Sequence, residues 1–311
     1  MAAAVVELAH VRRSFGAVVG LADLSFSVPA GSVTVLLGPN GAGKTTALRT
    51  VTGALAPESG SVRVFGVDPT GPDGESVRRR CGVVAAKPAL YDRLSGRDNL
   101  RYAAELFGLD RSGAEAPIEA SAARFGIDDA LDKKVAGYST GMKTRLALAR
   151  SILHDPDLLL LDEPTSGLDP ESSHAVLQLI DELAASGKTV VMSTHLLLEA
   201  EGLADQVVMM ELGADVVTGE PDELVRRYWP FPTVVFDAED RAGLDLLAHE
   251  AGVSAFHRNG TSAVVTLDDL ARVPQLIADL VAAGVRVTQV TPQHPSLEQL
   301  YLKVRGGKAA A

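Results

Sequence analysis

The sequence predicts a mixed α/β domain over residues 1–228, followed by a smaller α+β domain over residues 229–305. Apolar, β-branched runs indicate buried strands of a parallel sheet, and a helical pattern interrupts them over about residues 90–150. After a proline-rich stretch at residues 228–232, typical of a linker, strand and helix patterns begin again. The apolar runs are Ser32–Leu37, Asp157–Asp162 and Thr189–Ser193.

Other short patterns complete the predicted first domain. Glu7–Arg13 and Leu24–Val28 indicate an antiparallel edge of the sheet, and Val62–Phe65 and Gln206–Met210 indicate further strands. Within the helical segment, Thr144–Leu153 is predicted to form a helix that Asp155-Pro156 ends.

The second domain is predicted from the order of its elements, which is βαββαβ and resembles a ferredoxin-like fold. A seventh element, a terminal helix, follows, and residues 306–311 are predicted to form a disordered tail. The strands are Thr233–Phe236, Val253–His257, Ala263–Leu267 and Val285–Val290, and the helices are Glu239–Ala251, Leu270–Ala283 and Ser296–Val304.

Composition and charge narrow the function classes. The 311 residues carry a net charge of −11, which argues against a nucleic-acid-binding surface. The single cysteine, Cys81, excludes an internal disulfide and fits a reducing cytosol. The first residues have no signal-peptide pattern, and no apolar stretch approaches the ~18–20 residues of a membrane span. Any work at a membrane is therefore expected to need a partner chain.

A glycine-rich loop after the first apolar run matches the nucleotide-binding pattern G-x-x-x-x-G-K-[ST] without a mismatch. Its glycines allow the backbone N–H groups to surround phosphate oxygens, Lys44 adds a positive charge near the β- and γ-phosphates, and Thr45 offers a hydroxyl to Mg²⁺. Lys44–Val51 is predicted to be a helix with its positive end facing the phosphates. The alternative is a glycine turn that binds nothing. The loop comprises Gly38, Pro39, Asn40, Gly41, Ala42, Gly43, Lys44, Thr45 and Thr46.

Two carboxylates end the second apolar run. Asp162 comes last in the strand and is expected to hold Mg²⁺ beside the glycine-rich loop. Glu163, the next residue, is expected to point at the γ-phosphate and to act on the attacking water as general base. The alternative is a helix N-cap at a strand end.

The residues before the predicted helix Thr144–Leu153 have two interpretations. Ser139 can be a simple helix N-cap, or it and the helix N-terminus can bind a phosphate from a second molecule.

Four motifs follow one another in the chain: the glycine-rich loop (the P-loop), YSTGMKTRLALAR about one hundred residues later, LLLLDEPTSGLDP, and Ser193-Thr194-His195. In this order, over residues 5–225, they resemble the ATP-binding subunit of an ABC transporter, a P-loop NTPase. The resemblance implies ATP and Mg²⁺ as ligands and ATPase activity. It also implies roles for further residues: Phe15 stacks on adenine, Ser139 and Gly141 contact ATP held by the other subunit, Asp169 links the two sites, and His195 is a switch near the γ-phosphate.

Two positions depart from the family pattern. The signature, usually Leu-Ser-Gly-Gly-Gln, is here Tyr138-Ser139-Thr140-Gly141-Met142, which keeps the serine and the second glycine. Ala86 stands where the family usually has a glutamine, and alanine has no side-chain oxygen for a metal or water. The adjacent Lys87 cannot replace it as a metal ligand.

The resemblance implies a separate membrane permease as partner, with the chain in the cytoplasm on the inner face of the membrane. A homodimer, or a heterodimer with a sibling ATPase, is expected, and no nucleic acid. The segment Pro295–Leu302 resembles the tail of subunits that serve drug and antibiotic exporters, although a role in stability or dimer contact is the alternative. An ABC-type ATPase without a transport role is the competing function. Neither a second cassette nor a long coiled-coil insert supports it, and the absence of Asn-Lys-x-Asp disfavours a GTPase.

Overall fold

The structure, a computed structural model, describes residues 4–239 and 243–308. The chain divides into two compact units, Met1–Pro221 and Asp222–Ala311. The sequence placed this boundary after residue 228. The difference arises from a helix that the sequence analysis did not predict, α8 (Pro221–Tyr228), whose Leu224 is buried and whose Tyr228 carbonyl accepts a hydrogen bond from Lys303.

The described part of the first unit contains a sheet of nine strands in the order β4-β1-β2-β9-β8-β3-β7-β6-β5. Strands β3, β5, β6, β7 and β8 run parallel, whereas β1, β2 and β4 pair antiparallel as the predicted edge. The strands are β1 (Ala4–Phe15), β2 (Val18–Pro29), β3 (Val33–Leu37), β4 (Ser59–Val64), β5 (Cys81–Val84), β6 (Leu158–Asp162), β7 (Thr189–Thr194), β8 (Gln206–Glu211) and β9 (Ala214–Gly219).

The helical segment predicted over about residues 90–150 is present in the first unit, between β5 and β6. Strands β3, β6 and β7 are buried along their whole length, which explains why apolar residues predominate in them. The helices before α8 are α1 (Lys44–Val51), α2 (Gly74–Arg79), α3 (Gly96–Leu106), α4 (Arg111–Arg124), α5 (Thr140–Ile152), α6 (Pro170–Ala185) and α7 (Leu197–Glu201). Helix α5 begins four residues earlier than predicted, because Ser139 caps it.

The strand register brings the C-terminal ends of three strands together. In the order β3-β7-β6, Leu37 lies opposite Thr194, and Ser193 lies opposite Asp162. Because parallel strands end at the same edge, the loops that follow all three leave the sheet side by side.

The second unit contains an antiparallel sheet in the order β11-β12-β10-β13. This is the strand order 2-3-1-4 of the predicted ferredoxin-like arrangement. Within the predicted helix over residues 239–251, the described residues form a short 3-10 helix, Gly243–His249, and residues 240–242 lie outside the described residues. The elements are β10 (Thr233–Ala238), β11 (Val253–Asn259), β12 (Ser262–Leu267), α9 (Val273–Ala282), β13 (Val287–Gln293) and α10 (Leu297–Lys308).

The end of the chain differs from its prediction in one respect. Residues 306–308, expected in a disordered tail, continue helix α10, and residues 309–311 lie outside the described residues.

Candidate active site

The glycine-rich loop joins β3 to α1, so its backbone passes over the N-terminus of that helix. Gly43 has φ +102°, and a Cβ there would lie 2.5 Å from the Gly20 carbonyl oxygen. A Cβ on Gly38 would overlap the Met210 carbonyl. Only glycine fits at these two positions, which explains why the loop can pack so closely against its neighbours.

Lys44 is buried, 5% exposed, and its ammonium contacts both backbone and carboxylate oxygens. Its Nζ donates to the carbonyls of Gly38 at 2.8 Å and Pro39 at 3.3 Å, and lies 3.5 Å from Glu163 Oε1. A buried ammonium needs such partners. The loop and the strand end of β6 are thereby joined through one cation.

Asp162 is buried, and hydroxyl groups satisfy both of its carboxylate oxygens. Thr45 Oγ1 donates to Oδ2 at 2.8 Å, and Ser193 Oγ donates to Oδ1 at 2.6 Å. These oxygens suit a hard divalent cation such as Mg²⁺. Within residues 4–239 and 243–308, no group of three or more His, Cys, Asp or Glu side chains is arranged to hold a metal. Thr45 and Asp162 would supply only part of the oxygen ligands of Mg²⁺, and substrate and water would supply the others.

Glu163 has an unusual backbone. Its φ is +48°, a left-handed conformation that costs a non-glycine residue on the order of 1–3 kcal/mol. Its N–H donates to Ser193, to the carbonyl oxygen at 3.1 Å and to Oγ at 3.0 Å. His195 Nδ1 lies 3.4 Å from Glu163 Oε1. Held in this way, the Glu163 carboxylate lies between Lys44 and His195.

Ser193 is a residue that sequence reasoning missed. It stands in the motif Ser193-Thr194-His195, but only His195 was given a role. It is fully buried, its hydroxyl donates to Asp162, and it accepts from the Glu163 N–H. The available signal was that two buried polar residues, Ser193 and Thr194, follow the apolar run of β7 directly before His195.

Phe15 ends β1 with its ring 47% exposed, and the Arg13 guanidinium lies 5.3 Å from the ring centroid. Gly20 lies between Phe15 and the glycine-rich loop. A Cβ on Gly20 would be 2.9 Å from the Phe15 ring, and the Gly20 carbonyl adjoins Gly43. The exposed aromatic face thus lies near the loop.

Ser139, Gly141 and Asp169 form a second group. Ser139 is exposed and accepts from the Met142 N–H at 3.2 Å, while Asp169 caps α6 through Ser172. The Ser172 N–H and hydroxyl hold the pKa of Asp169 below its ordinary value. A Cβ on Gly141 would be 3.5 Å from Ser172 Oγ. In the described part of the chain, the side-chain hydrogen bonds of this group do not reach the glycine-rich loop.

Ala86 lies in the exposed loop that follows β5. It lines a cavity of about 420 Å³ together with Thr45, Asp162 and Lys87. A residue at this position therefore borders the residues that suit a metal, although alanine brings no oxygen to them.

Comparison with known proteins identifies the family. A family model described as "ABC transporter" matches residues 21–166. An uncharacterized ABC transporter ATP-binding protein, YxlF of Bacillus subtilis, is 37% identical over 91% of this chain and 93% of its own length. The chain belongs to the ATP-binding subunits of ABC transporters.

Two further relatives span nearly the whole chain. The Nod factor export ATP-binding protein I of Bradyrhizobium diazoefficiens is 34% identical over 97% of this chain and 96% of its own length. The daunorubicin/doxorubicin resistance ATP-binding protein DrrA of Streptomyces peucetius is 35% identical over 92% of this chain and 88% of its own.

Solved structures match the fold of the first unit. A structure of an ATP binding subunit of an ABC transporter is 30% identical, with a TM-score of 0.65, and covers 72% of this chain and 93% of that one. The cbiO1 protein of Clostridium perfringens, part of the ABC transporter complex cbiONQ, is 26% identical, with a TM-score of 0.65, over 71% and 90%.

As a member of this family, the chain binds ATP and is an ATPase. The predicted α/β fold and the resemblance to ABC subunits are confirmed. Subunits of this family work with membrane permeases. In the described residues, the structure has no helix of the length and apolarity needed to cross a membrane.

The link between Ser193, Asp162 and Glu163 generates a prediction. Ser193→Ala should lower the free energy of unfolding of the first unit by about 1–3 kcal/mol, because Asp162 loses a buried donor and the Glu163 N–H loses one of its two acceptors. Denaturant unfolding monitored by circular dichroism measures this change. Ser27→Ala, at an exposed position of β2, is the control and should stay near wild type. Equal stability of both variants would contradict the proposed link.

Proposed function

We propose that this chain hydrolyses ATP to drive export of a small hydrophobic compound through a separate permease. The observation that carries the catalytic part is the convergence of Lys44, Asp162, Glu163 and His195 at the ends of β3, β6 and β7. Each side chain has a different chemical property, and together they match what phosphoryl transfer to water requires.

Phosphate binding is assigned to the loop Gly38–Thr46. Its N–H groups and the N-terminus of α1 attract anions. Lys44 is the buried cation of the loop, and phosphate oxygens would compete with the Gly38 and Pro39 carbonyls and with Glu163 for its ammonium. ATP binding thereby loosens the ion pair between Lys44 and Glu163. Phe15 offers its exposed ring for stacking on adenine.

Mg²⁺ is assigned to Thr45 and Asp162, whose oxygens lie 2.8 Å apart. When bound, the ion neutralises charge that develops on the phosphates during transfer. Asp162 and Thr45 would hold the ion near the N-terminus of α1, where the phosphates are proposed to bind.

Glu163 is assigned as general base. Its carboxylate takes a proton from water as the water oxygen attacks the γ-phosphorus, and the bond between the γ-phosphorus and the bridging oxygen of ADP breaks. His195, 3.4 Å from Glu163, orients the carboxylate and donates toward the γ-phosphate. Ser193 fixes the Glu163 backbone and thereby restricts the direction in which the Glu163 carboxylate points.

Catalysis is tested by three substitutions. Lys44→Ala should abolish tight ATP binding, because the charge that neutralises phosphate is lost. Glu163→Gln and His195→Ala should keep ATP binding but lower turnover on the order of 10²-fold or more, as loss of a general base does. Steady-state ATPase assays and titration with a fluorescent ATP analogue separate the two effects. Wild-type turnover in Glu163→Gln would remove Glu163 from the role of base.

ATP is further proposed to bind between two ATPase chains. The support is that Ser139, Gly141 and Asp169 lie together, that their side-chain hydrogen bonds in the described residues do not involve the P-loop, and that Ser139 is exposed at the N-terminus of α5. A helix N-terminus attracts phosphate, so this surface would complete the site of a facing chain. Two such chains would be related by two-fold symmetry, because each contributes both surfaces.

The dimer is tested with Glu163→Gln, which should hold ATP without hydrolysing it. Light scattering should show a mass twice that of the monomer when ATP and Mg²⁺ are added. Ser139→Glu, added to this variant, should prevent the increase, because a carboxylate would face the phosphates. A strict monomer at high protein concentration would exclude a self-dimer, and a heterodimer with a sibling subunit would then be sought by co-expression.

Export is supported by how far the relatives match. The relatives named for Nod factor export and for drug resistance cover 92–97% of this chain, so the likeness extends into the C-terminal unit. The solved structures, in contrast, cover only 71–72% of the whole chain. The C-terminal unit is therefore a feature shared with export proteins, and the chain is proposed to act on the inner face of the membrane, held there by its permease.

An apolar groove of about 560 Å³ is the proposed permease surface. Val83, Tyr91, Tyr102 and Leu106 line it with exposed fractions of 43–69%. Exposed apolar clusters of this kind mark interaction sites. Val83 also lines the cavity beside Ala86 and Asp162. A partner seated in the groove would therefore press on the loop that borders the ATP site.

The groove is tested by Leu106→Glu, which places a charge on an exposed apolar position. It should prevent co-purification with a co-expressed permease partner, and it should leave the ATPase rate of the free chain unchanged. Val281→Glu, at an apolar residue of α9 that is 58% exposed, is the control. Undiminished co-purification of Leu106→Glu would rule out this surface.

A further inference from the structure

Glu199 is a buried carboxylate in the short helix α7, close in sequence to His195. It is 8% exposed, and its Oε2 accepts a hydrogen bond of 2.7 Å from Thr194 Oγ1. Burying a carboxylate against a hydroxyl alone is costly in free energy compared with an apolar side chain. In the described residues, Glu199 has no salt bridge, and the Thr194 hydroxyl is the side-chain donor to its carboxylate.

Thr194 links Glu199 to the backbone around His195. Its hydroxyl donates to Glu199, and the same oxygen accepts from the Leu196 N–H at 3.0 Å. These two bonds enclose His195, because Thr194 precedes it and Leu196 follows it. A hydroxyl that donates to Glu199 has its lone pairs directed at the Leu196 N–H, so the two bonds support each other.

The His195 loop has few other constraints. Its imidazole is 40% exposed and lies 3.4 Å from Glu163. Helix α7 spans five residues, too short to be stable without tertiary contacts. Glu199 N–H returns to the Leu196 carbonyl at 3.2 Å. The loop from β7 to α7 is thus closed at both ends by Glu199, one end through its side chain and the other through its backbone.

We infer that Glu199 is a positioning residue for ATP hydrolysis, which holds the backbone on both sides of His195 through Thr194 and so directs the imidazole at Glu163 and the γ-phosphate. This inference rests on the proposed role of His195. A displacement of about 1 Å in such a group costs up to 10²-fold in rate, so loss of the contact should appear in turnover more than in ATP binding.

The test compares four substitutions at the two ends of the hydrogen bond, in the full-length chain. Glu199→Ala and Thr194→Val remove the bond and should lower kcat about tenfold or more, with KM and ATP affinity unchanged. Glu199→Gln and Thr194→Ser keep an acceptor and a donor and should stay within about threefold of wild type. Glu201→Ala, at the exposed acidic residue ending the same helix, is the control.

A double-mutant cycle with His195→Ala decides whether the effect passes through the histidine. Once His195 is removed, Glu199→Ala should cause no further loss of kcat. The same factor of loss in both backgrounds, or wild-type kcat in Glu199→Ala alone, would overturn the inference while leaving the proposed function intact. Wild-type kcat in His195→Ala would overturn the role of His195 and the inference with it. Thermal melting of each variant identifies losses of kcat that are caused by unfolding. If Glu199→Ala is unfolded, Thr194→Val and Thr194→Ser provide the same comparison at the donor end of the hydrogen bond.

Discussion

The hydrogen bonds between strands β6 and β7 at Ser193 are the constraint on which the geometry of the proposed active site depends. Ser193 lies opposite Asp162 in the sheet, donates to its carboxylate and accepts from the Glu163 N–H. These contacts hold Glu163 in a left-handed backbone conformation that an unsupported residue would leave. The chain therefore turns sharply after β6, and the two consecutive carboxylates point in different directions, one toward Thr45 and the other toward Lys44.

Charge balance explains why these groups can lie so close together. Lys44 is buried beside Glu163, and two backbone carbonyls share its ammonium. The chain as a whole carries a net charge of −11, so the attraction of the anionic nucleotide depends on local groups rather than on the overall field. The loop N–H groups and the N-terminus of α1 supply that attraction within a few ångströms, where water screens it least.

The sequence predicted the parts of this site that depend on short motifs. The glycine-rich loop, Asp162, Glu163 and His195 could be located because each lies at or just after the end of a strand with an apolar run, and parallel strands bring such ends together. Ser193 and Glu199 could not, since their importance arises from partners at Asp162 and Thr194 that only the strand register and the turn into α7 define. Helix α8 was missed because Pro221 and the adjacent linker pattern resemble a domain boundary, although Leu224 is buried.

The position of His195 shows how a loop can be both exposed and defined. In the proposed mechanism its imidazole reaches the γ-phosphate, and its 40% exposure is compatible with that role. Direction must then come from the backbone. Ser193 fixes the strand before it through Asp162, while Thr194 and Glu199 fix the residues on either side. The buried polar side chains at the end of β7 thus take the place of apolar packing. Their hydrogen bonds fix the backbone of the His195 loop to the rigid core.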